Sequence, residues 1–160
     1  MRAGNRRPRG GAAQTRYHCG VNEDTGTGDP TPYQLLGGAA RVRELVDRFY
    51  DLMDSTPAFA SARRLYPPQL DESRDKLYLF LSGWLGGPQL YVGRYGHPML
   101  RARHLPFSIG IAERDQWMAC MVMAMEDIGL DETLRSGLAH ALFQTADWMR
   151  NRAESSGSAE

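Results

Sequence analysis

The sequence is poor in several things, and each shortage removes a class of protein. No apolar run approaches the ~20 residues a membrane span needs, so no membrane role is expected. Clean alternation of apolar and polar residues does not outlast about four positions, so strands are not expected either. Cysteine is scarce: Cys19 and Cys120 stand far apart, with no CxxC or other ligand spacing. That argues against a disulfide scaffold or a zinc site, and for a reducing compartment. Net charge is absent too, with 19 basic residues against 19 acidic ones, so nothing draws the whole chain toward nucleic acid. Acid is missing from the first 20 residues, which hold Arg2, Arg6, Arg7, Arg9 and Arg16. This basic start lacks the apolar segment of a secretion signal, and a cytoplasmic protein is expected.

What remains is a 160-residue chain with 42% hydrophobic and 24% charged residues, enough for one domain with a real core. Residues 1–30 are rich in Gly, Arg, Thr and Asp with little to bury, and are expected to form a disordered tail. The folded domain is placed at 31–150, followed by a polar tail at 151–160.

Thr31-Pro32 is an N-cap followed by a first-turn proline. Beyond Gly37-Gly38, Val42, Leu45, Val46, Phe49, Tyr50 and Met53 mark one face of a helix. A second stripe, Leu70, Ser73, Leu77, Phe80, Leu81 and Trp84, is stopped by Gly86-Gly87-Pro88. A third helix is expected at about Glu113–Ile128, with Trp117, Met121, Ala124 and Ile128 on one face. The last starts near Asp131 and carries Leu134, Leu138, Ala141, Leu142, Thr145 and then Trp148 or Met149. Met118, Met121, Met123 and Met125 read as adaptable core fillers. The chain is therefore all-α, with four strong helices and one short one.

Between them lies 89-QLYVGRYGHPMLRARHLPFSIG-110, a stretch with little periodicity. Long irregular segments inside compact domains are uncommon and usually functional. Its one short helical run ends at His104, where Pro106 bars continuation. Two readings of that histidine stand side by side. It is a C-terminal dipole partner or surface residue, or it is an imidazole delivered to the centre of a flat ligand. The second needs its other ring nitrogen tied to an acceptor, and unpaired carbonyls near Leu100 or Arg101 are available at the helix end.

Five strings then weigh together: 48-RFYDLMD-54, 65-LYP-67, 79-LFLSGWLGGP-88, 96-GHPMLRARHLPFSIG-110 and 113-ERDQW-117. They resemble the truncated, two-over-two haemoglobins, specifically their second group, over about Pro32 to Arg150. The resemblance implies a truncated globin: a two-over-two helical sandwich around haem b, with a short proximal helix and an irregular loop before it. It implies that His104 is the proximal iron ligand and that Trp117, Tyr50 and Tyr66 stabilise a distal ligand. Ser73 and Leu77 would face that ligand from above, and the small Ser73 argues against a distal histidine clamp. Phe80, Tyr91, Phe107 and Ile109 would pack on the haem, Met121 would face it one turn past Trp117, and Lys76 and Arg101 would pair with its propionates.

The implied function is binding of oxygen, NO and CO at a His-ligated iron. The alternative is an NO-detoxifying dioxygenase or peroxidase-like enzyme in the same pocket, served by a separate reductase. A homo-oligomer is also among the expectations. A haem-free helical module whose Arg-rich tail binds a polyanion is the reading from another class.

Overall fold

A computed structural model describes residues 28–153, which form eight α-helices and no strand among the described residues. The expected N-terminal tail falls outside them except for residues 28–30.

The Thr31 hydroxyl accepts from the Gln34 amide at 3.2 Å while the Gln34 side chain accepts from Thr31 N at 2.9 Å. This reciprocal cap starts α1 (Pro32–Leu36). Gly37, at φ 116°, turns the chain into α2 (Ala39–Ser55). The predicted stripe of α2 is fully inside: none of Val42, Leu45, Val46, Phe49, Tyr50 and Met53 is more than 2% exposed. A 3₁₀ turn at Pro57–Phe59 leads to α3 (Ala60–Arg63), and α4 (Asp71–Trp84) follows.

The stretch read as irregular contains two short helices, α5 (Leu90–Tyr95) and α6 (Leu100–His104). Only the second was expected. Six residues with Gly93 among them are too few to show a period and too few to hold alone. α5 forms because Tyr91 packs edge-on against Phe80 of α4, with ring centroids 6.2 Å apart. α7 (Ile111–Asp127) starts two residues earlier than its apolar pattern, where the Glu113 carboxylate accepts from Gly110 N at 2.9 Å. α8 (Glu132–Trp148) begins at the Asp131 cap, as expected. Its closing ambiguity resolves plainly: Met149 is 7% exposed and Trp148 60%. Met118, Met121 and Met125 fill the core as expected, but Met123 faces outward at 39% exposure.

α2 packs on α4 and on α7, and α7 packs on α8. Two helix pairs, α2–α4 and α7–α8, are thus stacked in the two-over-two arrangement. Arg74 of α4 reaches Asp51 at 2.6 Å and the Asp47 carbonyl at 2.9 Å on α2, while Arg43 reaches Asp75 at 2.7 Å. These pairs fasten the outer edge of the first layer. No described helix is long and apolar enough to cross a membrane.

The glycines after α4 do more than stop it. Tyr33 N donates to the Leu85 carbonyl at 2.9 Å, and a Cβ at Gly87 would lie 2.5 Å from the Tyr33 ring. α1 can seat there only because that Cβ is missing. Gly87→Ala is expected to cost roughly 1–3 kcal/mol through overpacking, read as a lower midpoint in urea unfolding, whereas a midpoint matching the parent would refute the contact.

Candidate functional site

A cavity of about 480 Å³ opens between the two layers. Each wall is one helix face at helical spacing. α4 contributes Ser73, Lys76, Leu77, Phe80 and Leu81; α6 contributes Leu100, Arg103 and His104; α8 contributes Leu142, Thr145 and Ala146, with Met149 at its C-cap. Tyr50 of α2, with Glu113 and Trp117 of α7, closes one side, while Tyr66 and Leu65 enter from the connection before α4. Tyr91, Phe107 and Ile109 complete the apolar lining. A larger hollow of about 640 Å³ beside Trp84 holds one ionisable group, Asp131, and offers no comparable donor set.

His104 is the last residue of α6, and its Nδ1 lies 2.6 Å from the Leu100 carbonyl. A carbonyl oxygen only accepts, so Nδ1 carries the hydrogen, and the matching tautomer of a neutral imidazole has its lone pair on Nε2. The acceptor is one of the two that the helix end made available.

The opposite wall is aromatic. Trp117 Nε1 donates to the Tyr66 hydroxyl oxygen at 3.1 Å. The Tyr50 and Tyr66 rings meet edge-on at 5.5 Å, and Phe49 supports the Trp117 ring at 5.2 Å. Burial drives the Tyr50 phenol well above its usual range, with Tyr66 adding to the rise and Arg74 opposing it. Burial also raises Tyr66, while hydrogen bonds from Trp117 and Tyr50 hold it back. The Tyr66 oxygen is therefore an acceptor on the wall side, and neither of these bonds uses its own proton.

Ser73, Lys76, Leu77, Phe80, Tyr91, Phe107 and Ile109 all line the space. Two residues lie elsewhere. Met121 is wholly buried in the α7 core and does not reach the cavity, because beyond Trp117 that helix abuts α2. The Arg101 guanidinium donates to the carbonyls of Trp148 and Arg150, the latter at 3.4 Å, and so turns away. Bare carbonyls at a helix end compete for exposed cations. Arg103 stands at the rim in its stead. The α8 face was missed as site lining, although Leu142 and Thr145 were already visible as a stripe.

The sequence matches the family described as bacterial-like globin over residues 31–151. The chain belongs to that family. Group 2 truncated hemoglobin YjbI of Bacillus subtilis (strain 168) is 42% identical over 123 residues, spanning 77% of this chain and 90% of that protein. Among solved structures, the group II 2-on-2 hemoglobin from the plant pathogen Agrobacterium tumefaciens is 41% identical with a TM-score of 0.77. It covers 81% of this chain and the comparison spans 100% of that one. The cold-adapted truncated hemoglobin from the Antarctic marine bacterium Pseudoalteromonas haloplanktis TAC125 is 43% identical, TM-score 0.75, covering 78% and 100%. The group II truncated haemoglobin assignment drawn from the motifs therefore holds. As a globin the protein holds haem and binds oxygen.

The residues of the cavity fit that group. A neutral imidazole with its second nitrogen anchored suits an iron. Apolar side chains from α4 and α8 suit a flat porphyrin, and Lys76 and Arg103 supply cations for its carboxylates. The volume lies in the ~300–1,000 Å³ range of cofactor pockets.

The unfolded phenol gives up its proton near the ordinary tyrosine value of ~10, whereas Tyr50 and Tyr66 hold theirs to higher pH. The stability these two contribute is therefore complete below that value and is lost as the pH climbs past it. An alkaline titration of phenolate absorbance should show a late fraction that disappears in Tyr50→Phe/Tyr66→Phe. Ionisation of all tyrosines together would contradict this wall.

Proposed function

We propose that this globin is a cytoplasmic haem b protein that holds oxygen, and also NO and CO, with His104 as the iron ligand and Tyr66, Tyr50 and Trp117 as the distal donors. The reading rests on one observation: the Trp117 N–H already donates to Tyr66, so the Tyr66 proton is aimed by its neighbours. Bound haem supplies the iron that a diatomic ligand coordinates; the protein's task is to place donors around that ligand.

Oxygen held in the cavity gathers negative charge, and hydrogen bonds to charged acceptors are worth ~1.5–3 kcal/mol. Tyr66 makes that bond. Trp117 orients the Tyr66 oxygen from one side, and Tyr50 couples to it from the other. Ser73 leaves room where a larger residue would crowd the ligand, and Leu77 and Phe80 exclude water from it. Lys76 and Arg103 pair with the propionates at the rim. Lys76 is also bound to Glu72 at 2.6 Å, which places its charge one turn up the same helix.

Such a donor set retains oxygen rather than delivering it. Turnover of NO or peroxide in the same pocket is the second reading, favoured by donors preorganised where charge develops.

Tyr66→Phe is expected to raise the oxygen dissociation rate by roughly 10- to 150-fold, the equivalent of one charge-assisted bond. Trp117→Phe, which frees the Tyr66 oxygen, should raise it at least several-fold. Stopped-flow displacement by CO measures both, and rates unchanged in the two variants would remove the aromatic wall from this role.

A further inference from the structure

The iron ligand sits on the least supported helix of the molecule. α6 has five residues and not one of them is buried. A helix so short does not persist on its own hydrogen bonds, and the face it turns to the cavity, Leu100 and His104, packs against no other helix core. Yet His104 must present one nitrogen at a fixed place.

The support comes from the chain just beyond α8. Asn151 lies in the segment 151–160 that the sequence suggests is a polar tail, but it is bonded into the domain. Its side-chain amide donates to the His104 carbonyl at 3.1 Å and to the Phe107 carbonyl at 2.7 Å. The amide oxygen accepts from Ile109 N at 3.0 Å, and Asn151 N returns a bond to the Ile109 carbonyl at 2.9 Å. One side chain thus ties together the His104 carbonyl, the Phe107 carbonyl and the Ile109 amide. Arg101, at the other end of α6, grips the carbonyls of Trp148 and Arg150. The His104 segment is tied at both ends to the same stretch of chain, residues 148–151.

We propose that Asn151 is a positioning residue for His104, and that its amide, with Arg101, sets the orientation of the imidazole and so the strength of its bond to the haem iron. The proposal rests on His104 being that ligand. The side chain's polarity matters, not its volume. Only an amide offers two donors to two carbonyls and an acceptor to one N–H at once. A carboxylate would keep the acceptor and turn the other oxygen on two carbonyls.

The test uses the haem-loaded full chain with Asn151→Ala and Asn151→Asp. Both keep the main-chain pairing with Ile109, so the fold survives. Resonance Raman of the ferrous, ligand-free protein should show the iron–histidine stretching band shifted and broadened in both variants. Haem transfer to apomyoglobin should be at least several-fold faster, while the C–O stretch of the CO complex, which reads the distal wall, stays at its parent position. An anchor that merely held the chain terminus would lower the thermal midpoint and leave the iron–histidine band alone. Parent-like band position and width in both variants would therefore overturn the proposal. A parent protein with no iron–histidine band would overturn the ligand assignment itself, and the clasp with it.

Discussion

One hydrogen bond organises the site: the Nδ1–H of His104 donating to the Leu100 carbonyl within the single turn of α6. It selects the tautomer of the neutral ring, the one with its lone pair on Nε2. It also uses a carbonyl that the helix end would otherwise leave without a partner. That arrangement works only if the turn exists, and nothing in its own burial makes it exist. The clasp from residues 148–151 holds the turn from outside.

The two sides of the cavity are accordingly built on different physics. The aromatic side is anchored by burial, with Phe49 and Tyr50 in the core and Tyr66 and Trp117 half-buried against them. Tyr50 lies on the core stripe of α2, Phe49 beside it braces Trp117, and Trp117 aims Tyr66. Moving Phe49 would open a void in the core on which the other three rings lean. On the His104 side directional polar bonds do the holding. Burial also keeps the distal phenols protonated, which is the state in which they donate. Rigidity and donor chemistry on that side have a common cause.

The cavity itself follows from a misfit between layers. α4 and α8 each turn an apolar face inward, but α4 meets α2 and α5 while α8 meets α7. The space left between those faces is the pocket. Its walls are stripes of the same period as the core stripes, continued along helices to places where no partner helix arrives.

Much of this is legible in the linear sequence. The α2 stripe, the Thr31 cap, the Asp131 cap and the break at Gly86-Gly87 are local, and local spacing determines them. The strings around His104 and Trp117 carry the family and, with it, haem. Residues across the cavity were legible only as separate faces. Leu142 and Thr145 looked like core because nothing in α8 says which part of its stripe meets a helix and which meets a gap. Arg101 looked equivalent to Arg103, since both are cations on one short run, and Met121 looked like a haem contact because it follows Trp117 by one turn. Tertiary structure separated them. The carbonyls that capture Arg101 are 47 and 49 residues away, and the amide that grips the His104 carbonyl is 47 away. Such pairings depend on where helix ends arrive in space, a consequence of crossing angles and loop paths that no local period encodes.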